Sequence, residues 1–267
     1  MANRTAPIRL AAAMAGLLLL SMPALAEVAT PLTAPVPPAE EEAPAPKLSA
    51  TATAVTADTT YLRSAPAPDY WAFAPFVKPQ FTNSACSIAS VTSALNGLRG
   101  LPALAETSIV TQPGLLEITG DPVWADVSAE GGDGVTFAQL VAFTNEAIAA
   151  SGMDGYRTES FHPAAADGAA LAKMRTMLVA NEATAEDAIL VYFNQGVVTG
   201  DWDGPHVSVI GAYDAENDRV LVLEVDQEWY IPYWTPAPVL LAAMVKPTGP
   251  EHTGLEGETG GFVHILK

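Results

Sequence analysis

The chain has 267 residues, with 30 Asp and Glu against 12 Lys and Arg, for a formal net charge of −18. So acidic a chain repels nucleic acid and anionic membrane surfaces, which argues against a nucleic-acid partner. One cysteine and four scattered histidines lack the ligand spacing of a protein metal site.

The N-terminus reads as an export signal. Arg4 and Arg9 precede an apolar run from Leu10 to Leu20, and "SMPALA" follows with small residues at Ala24 and Ala26. That is the charged, apolar and A-x-A order of a secretory signal peptide, cleaved after Ala26. The run is shorter than the roughly 20 residues a membrane-spanning helix needs. No later stretch is long and apolar enough to cross a bilayer, and no cysteine follows the cleavage point to carry a lipid. The expected setting is the periplasm or the exterior. Without residues 1–26 the chain holds 10 basic against 30 acidic residues, a formal −20.

Residues 27–68 are built from Pro, Ala, Thr and Glu, with almost no large apolar side chains. Such a segment buries too little apolar surface to offset its ordering entropy, so a disordered, partly extended linker is expected. Residues 69–267 fit one globular domain. Apolar spacing predicts a helix beginning near Cys86 and ending at Gly97 or Gly100, a second over 135–152 and a third over 167–183. "DAILVYFNQ" reads as a buried strand, and "HVSVIGAYD" and "RVLVLEVDQ" (219–227) as a hairpin around "AEND". A short helix over 236–245 and a last strand in "GGFVHILK" complete the order. Helices come first and strands second, which points to an α+β domain.

Cys86 is the only cysteine, and it lies where a helix begins. An unpaired thiol invites disulfides outside the cell, and a helix N-terminus favours its thiolate form. A lone cysteine is also a small buried hydrophobe, and these facts leave nucleophile and packing open. A nucleophilic cysteine needs a base, and His162, His206, His252 and His264 are available. His206 opens a strand after the loop "VVTGDWDGP", the kind of junction where clefts form. On the predicted strand 219–227, Glu224 and Asp226 lie two apart and share a face, so either could orient the imidazole. Both could equally be exposed acids on an acidic surface. Gln80, six before Cys86, could offer a side-chain N–H to an oxyanion.

Taken together, "QFTNSACSIASVTSALN" resembles the cysteine segment of phytochelatin synthases, with Gln80, Cys86, Leu95 and Asn96 at the family's spacing. "GPHVSVIGAYD" is similar to the family's histidine segment, and "VLVLEVDQEWYIPYW" to the block with its acid and its aromatic, Pro-rich stretch. "GVTFAQLVAF" and "GGFVHI" resemble further segments, so the likeness runs over roughly 68–267. Three departures stand out. Glu224 replaces the family's aspartate, Ser87 follows Cys86 in place of glycine, and two family arginines are replaced by Gln227 and by Gly260 or Gly261. The plant enzymes' cysteine-rich C-terminal domain has no counterpart.

The resemblance implies a papain-like α+β fold, in which a helical part carrying the cysteine packs on an antiparallel sheet carrying the histidine and acid. It implies a Cys86, His206 and Glu224 triad, with Asp226 the alternative acid and Gln80 at the oxyanion. The implied reaction removes glycine from glutathione through a Cys86 acyl-enzyme and passes γ-glutamylcysteine to glutathione or water. No tightly bound cofactor is expected, and Cd²⁺ or Zn²⁺ would enter as a thiolate complex of the substrate. Two rivals are a papain-like peptidase or amidase acting on another periplasmic peptide, and a non-enzymatic module binding glutathione or a metal thiolate.

Overall fold

A helix followed by a long-range ladder of strands decides where the candidate residues meet. The computed structural model describes residues 46–267; the expected signal peptide and linker residues up to 45 lie outside the described residues. The elements in chain order are β1 (Thr53–Ala54), α1 (Thr60–Ser64), α2 (Pro68–Phe73), α3 (Cys86–Arg99), α4 (Gln112–Thr119), α5 (Pro122–Val127) and α6 (Phe137–Ala150). There follow β2 (Arg157–Phe161), α7 (Gly168–Asn181), β3 (Ala188–Asn194), α8 (Gln195–Thr199), β4 (Pro205–Asp214), β5 (Arg219–Leu223), β6 (Tyr233–Pro236), α9 (Ala237–Val245) and β7 (Gly261–Leu266). A 3-10 turn at Ala74–Phe76 leads from α2 towards α3.

Local chemistry explains the helix ends. Thr136 and Gln139 form a reciprocal capping box that starts α6. Asp167 caps α7. Gly100 stops α3 with a φ of +71°, a conformation other residues resist.

The strands form one sheet in the order β1-β6-β5-β4-β3-β7-β2. Every pairing is antiparallel. Every residue of β3 is buried, because the sheet is covered on both faces. The two-residue period sorts its side chains: Ala188, Leu190 and Tyr192 join a core that includes Ile88 of α3 and Leu140 of α6. Ile189, Val191 and Phe193 join the opposite core, with Met174 of α7 and Leu240 of α9. The mixed helices and antiparallel sheet are those of an α+β domain.

Three sequence expectations change. Residues 46–68 are not a free linker: β1 pairs with β6 at the sheet edge, and Leu62 is buried. Val55 N–H donates to the Pro232 carbonyl at 2.8 Å. Arg219 holds Asp58 at 2.5 Å, and the Trp234 indole N–H donates to the Asp58 carbonyl at 3.1 Å. A few small apolar side chains suffice here because an open strand edge supplies the backbone partners.

The strand expected over 219–227 ends at Leu223. Beyond it the backbone is claimed by other partners. The Gln80 N–H donates to the Val225 carbonyl at 2.8 Å, and the Asp226 N–H turns back to Glu224 Oε1 at 2.7 Å. Strands also interleave with the helices, since β2 falls between α6 and α7.

Candidate active site

Cys86 is the first residue of α3 and is half-buried, and it lines two cavities. The loop before it is fixed by short polar bonds. Thr82 Oγ1 donates to the Ser128 carbonyl at 2.6 Å, and Ser84 Oγ to the Gly132 carbonyl at 2.5 Å. Asn83 Nδ2 donates to Glu130 at 3.2 Å. Ser87 takes the position where glycine was expected, and its hydroxyl accepts the buried Trp124 indole N–H at 3.0 Å. One turn on, Ser90 Oγ donates to the Val207 carbonyl at 2.9 Å. That bond ties the cysteine helix to the residue after His206. Asn96 clasps the backbone of Val110 from both sides, through Nδ2 at 2.8 Å and Oδ1 at 3.2 Å.

His206 is the second residue of β4 and is buried. Its Nε2 lies 2.6 Å from Glu224 Oε1. Ser208 Oγ lies 3.2 Å from the same nitrogen. The other ring nitrogen is Nδ1, and His206 lines the same cavity as Cys86. Burial by itself would lower the imidazole pKa. The Glu224 charge, with hydrogen bonds to Cys86 and Glu224, reverses this and holds the pKa well above its ordinary value.

Glu224 is fully buried. Burial would raise its pKa, but the His206 charge and hydrogen bonds from His206 and the Asp226 N–H hold it below the ordinary carboxylate value. Gln195, at the start of α8, donates Nε2–H to Glu224 Oε2 at 3.2 Å. Tyr233 on β6 sits against the same carboxylate, and burial followed by that charge pushes its phenol up. Of the two acids on the predicted strand, Glu224 meets the imidazole. Asp226 is partly buried and faces a cavity, and burial raises its pKa.

Gln80 also lines a cavity with Cys86, and its Nε2 donates to the Asn83 carbonyl at 3.3 Å. The amide has a second N–H to offer. Of the other histidines, His252 lines the smaller cavity with Cys86, and His162 and His264 are in neither cavity wall. His162 meets Thr259 Oγ1 at 2.8 Å, His264 pairs with Asp187, and His252 bonds the Asp203 carbonyl at 2.8 Å.

Two cavities flank the sulfur, of about 250 and about 410 Å³, with Trp202 and Pro205 in the wall of both. Neither is lined by a lysine or an arginine. One family arginine falls at Gly260 or Gly261, and of these Gly260 presses its backbone on the Tyr192 carbonyl. A Cβ built there would fall 1.8 Å from that oxygen. Among the described residues, no group of three or more His, Cys, Asp or Glu is arranged to hold a metal ion. No helix among them is long and apolar enough to cross a membrane.

Sequence reasoning missed Gln195, Tyr233 and Ser90. The polar pair Asn194-Gln195 at the end of an otherwise apolar strand was the available signal for the first. Ser90 carried no signal, because its partner is a backbone carbonyl 117 positions away.

A thiol at a helix start, an imidazole on an adjoining strand and a buried carboxylate behind it define a cysteine–histidine–carboxylate site at a helix–sheet seam. The chain belongs to the phytochelatin synthase family, whose pattern it matches over residues 47–252. No curated protein matches it.

Proposed function

We propose that the chain is a glutathione γ-glutamylcysteinyltransferase of the phytochelatin synthase type, working through a Cys86 acyl-enzyme. The observation that carries this reading is the buried 2.6 Å contact between His206 and Glu224, behind the only cysteine. In the reaction the Cys86 proton passes to His206, and the thiolate attacks the Cys–Gly carbonyl carbon of glutathione. The oxyanion is held by the Cys86 backbone N–H and by the free N–H of the Gln80 amide. His206 then returns its proton to the departing glycine nitrogen. Glu224 orients the ring through Nε2 and stabilises its charge. The γ-glutamylcysteinyl group leaves Cys86 for the amine of a second glutathione or for water. Cd²⁺ or Zn²⁺ enters as a thiolate complex of the substrate. The N-terminal pattern supports an exported enzyme.

A second reading is a cysteine amidase on a different periplasmic peptide. It is favoured by the absence of lysine and arginine from both cavity linings, where a substrate with two carboxylates would call for them. Incubating the protein with glutathione, with and without Cd²⁺, and weighing the products separates the outcomes. Repeated γ-glutamylcysteine chains establish the synthase and γ-glutamylcysteine alone a hydrolase. Unchanged glutathione overturns the reading.

A further inference from the structure

The larger cavity beside Cys86 is made for positive charge. Its wall contains the carboxylates of Asp201 and Asp226 and the rings of Trp202, Trp229 and Tyr230. Tyr230 Oη donates to Asp201 Oδ2 at 2.5 Å, which fixes ring and carboxylate together. The Gln80 Oε1 acceptor in the same wall is buried without a partner. Every one of these groups favours a donor or a cation, no lysine or arginine is built into the wall, and its one histidine, His206, is already paired with the buried Glu224.

An ammonium from the chain itself already sits beside it. Lys47 Nζ lies 4.5 Å from the centre of the Tyr230 ring and 5.0 Å from that of Trp229. Both distances are within the range of cation–π attraction. Asp201 Oδ2 is 3.9 Å away. Lys47 is half exposed, so its ammonium can leave this cage for water while Leu48 and Ser49 stay packed.

We propose that Asp201, Trp229 and Tyr230 form a subsite for the ammonium group of the substrate, and that Lys47 is its resident placeholder. The proposal deepens the function given above. On that reading, the group received is the α-ammonium of the γ-glutamyl residue, and substrates are selected by their cationic end rather than by their carboxylates.

Cys86 is the only cysteine, so its labelling rate reports on the cavity without any turnover. Two methanethiosulfonates of similar size are compared, one bearing an aminoethyl and one a sulfonatoethyl group. In each, the thiolate attacks the sulfenyl sulfur and methanesulfinate leaves. The ammonium reagent reacts faster with the native protein. Trp229→Ala changes no charge and removes an exposed ring, and it lowers the ratio of the two rates by about threefold to thirtyfold. Lys47→Met speeds the ammonium reagent, whereas Lys173→Met, an equal change of net charge elsewhere, does not. A ratio unmoved by Trp229→Ala, or equal effects of the two lysine changes, overturns the subsite. In parallel, KM is measured for glutathione and its N-acetyl derivative. With the labelling pattern present, no turnover of either sinks the assigned reaction and leaves the subsite standing. Equal KM values for the two remove the γ-glutamyl ammonium as its ligand.

Discussion

His206 and Glu224 stand 18 residues apart in the chain and 2.6 Å apart in space, with both side chains buried. The carboxylate is longer by one methylene than the family's aspartate, and it sits just past the end of β5, where the Asp226 N–H bonds the same oxygen that meets the ring. Glu224→Gln keeps the shape and removes the charge. It lowers kcat for glycine release by about 100-fold or more. Asp226→Asn changes kcat by no more than about tenfold, with its effect falling on KM. Steady-state kinetics of the two variants checks the assignment, and the reverse ranking would hand the role to Asp226.

Cys86→Ala abolishes glycine release and acyl-enzyme formation while leaving the fold intact, since the residue is half-buried and loses only its sulfur. Mass spectrometry after incubation with glutathione and an acid quench detects the acyl adduct on the native protein and none on the variant. Full activity in the variant sinks the covalent route.

The charge pair sets a pH signature. His206 has a raised pKa, so its contribution to stability is complete below the ordinary value of 6.5 and is lost as pH rises through the higher folded value. Glu224 has a lowered pKa, so its contribution is complete above 4.5 and is lost as pH falls through the lower folded value. The alkaline limb of kcat/KM therefore lies well above 6.5 in the native enzyme. Glu224→Gln removes the charge that supports the imidazolium and moves that limb to lower pH. A pH–rate profile reads the shift, and an unmoved limb contradicts it.

Asp69 on α2 is fully buried, and neither carboxylate oxygen has a partner. Burial, followed by the nearby charges of Glu182 and Asp187, pushes its pKa up to about 9. The folded state thus keeps a proton that the unfolded chain releases near pH 4, and stability falls as pH rises between those values. Asp69→Asn removes this loss. The variant is more stable than the native protein by on the order of 2–4 kcal/mol at pH 7 and nearly equal to it at pH 4. Denaturant melts at the two pH values test it, and a pH-independent difference rules it out.

Much of this arrangement was legible in the sequence, for reasons that differ by residue. The α3 and α6 helices carry their own periodicity and stop signals, so Cys86 could be set at a helix start. Gln80 and Cys86 lie close in sequence, and the likeness of the three blocks supplied His206 and Glu224. What stayed hidden depends on distant partners. Thr53–Ala54 is too short to show a strand pattern and exists because β6 offers an edge. Gln195 matters only because folding brings it to Glu224. The end of β5 is set by bonds that the Gln80 segment and the Glu224 side chain make, neither of which is a turn signal.

The N-terminal segment gives a further test. A chain starting at Tyr70 loses β1, the Asp58–Arg219 pair and the buried Leu62. It melts at least about 5 °C below a chain starting at Pro46. Equal melting temperatures would restore the linker reading of 46–68.

The contact between Gly260 and the Tyr192 carbonyl reaches beyond local packing. The Gly260 N–H also donates to the Met244 carbonyl at 2.6 Å, so this stretch of backbone is gripped from two directions. An arginine put back at that point would find its first carbon already occupied by β3, and the sheet would have to part to admit it. A guanidinium can therefore reach this region only from another stretch of backbone, or after β3 has moved.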